Sequence, residues 1–258
     1  MPSFELLSDI HSNLWKPNQI DFSSLFPAKT STLILAGDIG NPDHPSLHSL
    51  IRYVCNKYSS IIYVPGNHEF IGKPPHKVLH WFERVDEEFS NFHFFYRRTE
   101  RINGIRVIGA TAWTSGPYGT SYSNMVNQEG KKDRDYIDKM ISSSNDTTLV
   151  VSHYCPTLRV LKDAYSGTLA QYDYAQNLEY MFRPPLHTWV FGHIHQTYEF
   201  KVPYTSSMFG DGSVNLLCMP YGKPSDANII TPHACRFEIN PDVVSSVKFL
   251  PDKTYRNL

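Results

Sequence analysis

Short apolar runs, each stopped by a polar or glycine-containing turn, set the rhythm of the first third of the chain. Residues 4–7, 32–36 and 61–64 are short runs rich in branched and apolar side chains, the pattern of buried strands. Between the second and third, Leu47, Leu50, Ile51 and Val54 recur at helical spacing and Pro45 suits a first helical turn, which predicts a helix over 45–58. Val78, Leu79, Phe82 and Val85 repeat that spacing and predict another over 75–89. Strands alternating with helices predict a layered α/β fold.

Further along, Asn103-Gly104 joins the strand-like runs 99–102 and 105–109 as a tight hairpin, and a third helix is expected over 125–142. Residues 147–151 and 188–191 read as buried strands, and 214–219, 234–239 and 243–249 as further strands, so the second half is richer in strand than the first. Segments 115–123, 209–213 and 220–225, rich in Gly, Pro and Ser, are expected to be long surface loops.

The polar residues at the ends of the apolar runs form one series: Asp9-Ile10-His11, Gly37-Asp38, Gly66-Asn67-His68-Glu69, His153, and Gly192-His193-Ile194-His195. Each follows a predicted strand. The carboxyl ends of strands in open α/β sheets converge on a shared crevice, so these side chains can meet although they are far apart in sequence. Gly-His-x-His carries the most information, because two imidazoles two residues apart on an extended chain point to the same side, and imidazole favours divalent transition metals. Because the series runs from Asp9 to His195, one domain over 1–258 is expected.

In this order and spacing the blocks resemble the calcineurin-like metallophosphoesterases, whose pattern is Asp-x-His, Gly-Asp, Gly-Asn-His-Asp/Glu, His and Gly-His-x-His. The resemblance covers residues 4–196, and Thr111-Ala112-Trp113-Thr114 and His153-Tyr154-Cys155-Pro156 are similar to the small bacterial and viral branch. It implies a four-layer α/β/β/α sandwich of two mixed β-sheets flanked by helices. Two divalent metal ions are implied as well, with Asp9, His11 and His195 on one, Asn67, His153 and His193 on the other, and Asp38 bridging both. Mn, Fe or Zn suits such an oxygen and nitrogen shell. A pair of metals can turn a bridging water into hydroxide at neutral pH and clamp the phosphoryl oxygens, and the resemblance makes His68 the general acid for the leaving oxygen.

The chain departs from the phosphoprotein phosphatases in this pattern. Asn41 stands where they carry an Asp paired with the catalytic His, so Asn41 is expected to orient His68 through its amide oxygen; an Arg follows that Asp in those enzymes, where this chain has Pro42, and Pro65 precedes Gly66 where they have a second Arg. Protein phosphatase activity is disfavoured accordingly. Arg97, Arg98, Arg101 and Arg159 are the candidates for a phosphate contact from elsewhere, with a solvated surface role the preferred reading of each. Trp113 and Tyr154, with Tyr118 and Tyr122, are candidates for lining the substrate pocket.

Charge and cysteine content narrow the chemistry. The 24 basic and 25 acidic residues nearly cancel to a net charge of -1, which offers no strong nucleic-acid signature. Cys55, Cys155, Cys218 and Cys235 contain no Cys-x-x-Cys pair and read as reduced thiols. The sequence moves directly from Met1 into an apolar strand and has no run of about 20 apolar residues, so a cytoplasmic protein without membrane association is expected. The expected activity is hydrolysis of a phosphomonoester or phosphodiester on a small or nucleotide-like substrate. A nuclease for single-stranded nucleic acid and a catalytically idle scaffold of the same fold are the alternatives.

Overall fold

In the computed structural model the described residues are 1–16, 19–114, 121–161, 168, 171–226, 231–241 and 247–249, with 121–123 and 247–249 described as backbone. Twelve strands are described: β1 (Ser3–Leu7), β2 (Thr32–Ala36), β3 (Ser60–Val64), β4 (Phe92–Phe94), β5 (Arg98–Ile102), β6 (Ile105–Gly109), β7 (Thr148–Val151), β8 (Leu186–Phe191), β9 (Tyr198–Ser206), β10 (Gly210–Cys218), β11 (Cys235–Ile239) and β12 (Val247–Phe249). The α-helices are α1 (Phe22–Leu25), α2 (Pro45–Cys55), α3 (Pro75–Glu88), α4 (Ser121–Ile141) and α5 (Gln171–Tyr174).

The strands form two six-stranded sheets, in the orders β12-β11-β1-β2-β3-β4 and β5-β6-β7-β8-β10-β9. Each is mixed: β1 to β4 run parallel and β11 joins antiparallel, while β6, β7, β8 and β10 run parallel between the antiparallel edges β5 and β9. Alternation along each strand builds the layers. Phe4, Leu6, Ile34, Ala36, Ile62 and Val64 of the first sheet pack on Val107, Leu149, Val151, Val190 and Leu217 of the second. On the outer face of the first sheet, Leu33, Leu35, Ile61 and Tyr63 meet Leu47, Leu50, Val54 and Phe82 of α2 and α3, while Ile108, Val150, Trp189 and Leu216 of the second meet Ile137 and Ile141 of α4. The result is the expected α/β/β/α sandwich.

Differences from the sequence expectation have physical reasons. Residues 210–213 belong to β10, because β9 folds back on them in an antiparallel ribbon from Tyr198 to Ser206. In β9 only Val202 is buried, and Pro203, tolerated because β9 is an edge, hides the strand pattern. Strand β4 is three residues long and α1 and α5 are four each, too short for periodicity to reveal. Residues 220–225 are not a free surface loop, since Tyr221 is buried and its N–H donates to Ser8 O at 2.8 Å. Residues 115–120, with Tyr118, and 243–246 lie outside the described residues, as does the Tyr122 side chain. All four cysteines are free, Cys155 and Cys218 in the core. Among the described residues no helix is long and apolar enough to cross a membrane.

Candidate metal centre

Parallel pairing of β1, β2 and β3 puts their carboxyl ends side by side, and with them Asp9, Asp38 and Asn67. Strands β7 and β8, likewise parallel, deliver His153, His193 and His195 from the facing sheet. The chain must turn sharply to aim these groups. Asp9, His11, Asp38, His193 and His195 have φ of 53°, 47°, 55°, 71° and 45°, a left-handed conformation that costs a non-glycine residue of order 1–3 kcal/mol. Backbone bonds hold the turns: Asp9 N–H to Gly37 O at 2.9 Å, His11 N–H to Asp38 O at 2.8 Å and Gly192 N–H to His153 O at 2.9 Å. Gly66 has a packing reason, since a Cβ there would lie 2.3 Å from Asp38 Oδ1.

The side chains converge on Asp38. Its Oδ1 accepts from the His68 N–H at 2.8 Å, and its Oδ2 faces His153 Nε2 at 3.4 Å and both His11 Nε2 and His68 Nε2 at 3.9 Å. Asp9, His11 and His195 form one tight group of potential ligand atoms, and Asp38, His153 and His193 another. In the first, His195 Nε2 lies 3.4 Å from Asp9 Oδ1 and 3.2 Å from His11 Nε2. In the second, His153 Nε2 lies 3.0 Å from Asn67 Oδ1.

The outward nitrogens fix what the inward ones can do. His153 Nδ1 donates to Ala36 O at 3.0 Å, His193 Nε2 to Asp173 O at 2.7 Å, and His195 Nδ1 to Asp226 Oδ2 at 3.0 Å. Each ring turns its other nitrogen into the crevice, among the carboxylates and the Asn67 oxygen. Acceptors brought this close fit a cation between them, and the oxygen and imidazole set suits a divalent transition metal.

Electrostatics point the same way. Asp9 and Asp38 are fully buried; burial pushes their carboxyls up, but the surrounding imidazoles overcome it and hold both below the usual carboxylate range. Burial pulls His11 down to about 3 and, with help from His153, His193 down to about 4, so both rings stay neutral and available to a cation. At His153 burial is outweighed by Asp38, which raises the imidazole to about 9: a proton takes the place a cation would fill. His68, with 30% of its side chain exposed, is lowered by burial against the pull of Asp38.

The structure thus brings together Asp9, His11, Asp38, Asn67, His68, His153, His193 and His195. It does not bring Asn41 to His68. The Asn41 amide oxygen accepts from the Asp43 N–H at 2.9 Å and from Lys73 Nζ, because a short amide bonds most readily to its own turn. Trp113 and Tyr154 border the site without offering a stacking face. Tyr154 packs 4.2 Å from the His193 ring, Trp113 lies between Phe70 and Tyr154, and they expose only 6% and 2% of their surface respectively.

Three participants escaped the sequence reading. Glu69, part of the Gly-Asn-His-Glu block, accepts from the N–H groups of Asp38, Ile39, Gly40 and Gly66 and from Tyr63 Oη, binding the turns after β2 and β3 to each other. Burial and the Asp38 charge raise its carboxyl to about 7. Asp226 supports His195, and Lys223 places Nζ 3.5 Å from His68 Nε2. The turn residues around Gly222 and Pro224 were the only signal for the last two.

Comparison with known proteins gives consistent findings. The family model described as calcineurin-like phosphoesterase matches residues 4–197. An uncharacterized protein, L509, of Acanthamoeba polyphaga mimivirus is 23% identical over 206 residues, 65% of this chain and 73% of that protein. The crystal structure of phosphopantetheinyl hydrolase from Mycobacterium tuberculosis superposes with a TM-score of 0.60 at 14% identity, covering 99% of this chain and 98% of that one, a likeness of fold.

Proposed function

The chain belongs to the calcineurin-like phosphoesterase family and is a metal-dependent phosphoester hydrolase, and on that premise we propose a single-domain, dinuclear enzyme acting on a small or nucleotide-like phosphoester. In this reading Asp9, His11 and His195 hold one divalent cation, Asn67, His153 and His193 hold the other, and Asp38 serves both. The observation that carries it is the position of Asp38 Oδ2, which faces His11 Nε2 at 3.9 Å on one side and His153 Nε2 at 3.4 Å on the other. When bound, two such cations supply Lewis acidity that acidifies a water and neutralises phosphoryl oxygens.

The protein's own groups do the rest. Asp226, Ala36 and Asp173 fix the ring tautomers, so the ligand nitrogens are turned inward before any substrate arrives. His68 keeps 30% of its side chain exposed, its ring 4.6 Å from that of His11, and in its imidazolium form, which burial and Lys223 disfavour, it gives a proton to the leaving oxygen. General acid catalysis of this kind contributes about 10²–10⁴-fold. Tyr154 and Trp113 close the rear of the site behind His193 and exclude water there.

The test is hydrolysis of paired chromogenic phosphomonoester and phosphodiester substrates with added Mn²⁺ by the wild type, Asp38→Asn and His68→Ala. Turnover should require metal, vanish in Asp38→Asn and fall about 10²–10⁴-fold in His68→Ala. Undiminished turnover in Asp38→Asn would sink the dinuclear reading, and a folded, metal-loaded wild type inert on both esters would favour a scaffold.

A further inference from the structure

The family match ends at residue 197, yet the segment from Pro220 to Asp226 is built into the same crevice. Ser8 and Pro220 form a β-bridge, the Tyr221 N–H donates to Ser8 O at 2.8 Å, and the Gly222 N–H donates to Asp9 O at 3.0 Å. Asp226 closes the turn: its Oδ2 accepts from the Lys223 N–H at 2.5 Å while also holding His195, and its own N–H returns to Lys223 O at 2.9 Å. The turn that carries Lys223 is therefore tied to two candidate ligands, to Asp9 through the Gly222 N–H and to His195 through the Asp226 carboxylate. The Lys223 Nζ reaches 3.5 Å from His68 Nε2, and its charge acts on His11, His68 and His195.

Among the described residues no carboxylate lies within ion-pair distance of the Lys223 ammonium, and its hydrogen-bonding neighbour is an imidazole. A partly buried cation in that position costs desolvation until an anion completes it. The arginines considered from the sequence are already engaged: Arg97 with Glu129 and Asp133, Arg98 with Asp86 and Glu100, Arg101 with Asp146, and Arg159 with Glu179.

We propose that Lys223 is the phosphate-binding cation of this site and that it makes the substrate a phosphomonoester. The proposal rests on the dinuclear hydrolase reading given above. A monoester carries about 1.5 to 2 negative charges at neutral pH, against about one for a diester. Its additional unsubstituted oxygen accepts a charge-assisted hydrogen bond from Lys223 beside the proton donor His68. A diester has one unsubstituted oxygen fewer and less charge to share between Lys223 and the cations, so it gains less from this contact.

Steady-state kinetics of the Mn²⁺-loaded wild type, Lys223→Met and Lys223→Arg on 4-nitrophenyl phosphate and bis(4-nitrophenyl) phosphate test this, together with calorimetric titration of inorganic phosphate. In Lys223→Met, monoester kcat/KM should fall about 10–100-fold, chiefly through KM, with a smaller loss on the diester and a matching loss of phosphate affinity. Lys223→Arg should keep the monoester preference. Equal losses on both esters with phosphate affinity intact would overturn the proposal, as would a wild type that prefers the diester. If the wild type cleaves neither ester, the hydrolase reading fails, while the phosphate titration still decides the role of Lys223. Lys223→Gln supplies the same comparison if the methionine variant does not fold.

Discussion

At His195 the nitrogen turned away from the crevice is held by Asp226 at 3.0 Å, an arrangement that orients a ligand imidazole and raises its basicity. Removing such an outer partner typically weakens metal binding 10–100-fold. Asp226→Ala should therefore bind Mn²⁺ about 10–100-fold more weakly in calorimetric titration of the metal-free protein, and an unaltered affinity would reduce Asp226 to a turn residue. The candidate ligands were legible because each sits two to four residues beyond an apolar strand, in a block whose spacing is itself informative. Asp226 and Lys223 carry no such mark: 31 residues separate Asp226 from His195, and only the fold makes them neighbours. Asn41 failed differently. Its position in the block suggested an imidazole partner, but the bond to the Asp43 N–H two residues on is local and wins.

Helix α4 lies against the segment that follows β6, and Gly130 faces the Trp113 carbonyl there. Replacing a mid-helix glycine by alanine ordinarily stabilises a helix by about 1 kcal/mol. Here the added Cβ would lie 2.4 Å from Trp113 O and 3.0 Å from Arg134 Nη1, and the first of these is backbone. Gly130→Ala should lower the melting temperature by several degrees, as expected when overpacking costs about 1–3 kcal/mol. A higher melting temperature would mean that the Ala112-Trp113 segment can yield. The same segment is pinned by the Ala112 N–H to Asp133 Oδ2 at 2.9 Å, which argues that it cannot. Long elements such as α2 and α3 were legible from periodicity because one face is buried and the other wet. Strand β9 was not, because as a ribbon at the sheet edge it is only lightly covered.

Across the whole molecule the candidate ligands divide between the sheets: Asp9, His11, Asp38 and Asn67 come from the first, and His153, His193 and His195 from the second. A cation bound between them would fasten the two layers together. Because the unfolded chain lacks this cradle, metal at 100-fold its Kd should add about 2.7 kcal/mol of stability. Melting after chelation with EDTA should occur several degrees below melting in excess Mn²⁺, and His193→Ala should shrink the difference; equal melting temperatures would show that no cation joins the layers.

Strand β1 lies inside its sheet, flanked by β2 and by β11, and in the latter pairing Ser3 stands opposite Glu238. Its second neighbour therefore leaves the ribosome only after more than two hundred further residues have been made. Until then β1 keeps an open edge, at the very strand that leads into Asp9 and His11. A chain cut after Gln196 would keep every candidate ligand and still present that edge as a template for adding foreign strands, so shortening this protein to about the span the family model matches, residues 4–197, would invite aggregation.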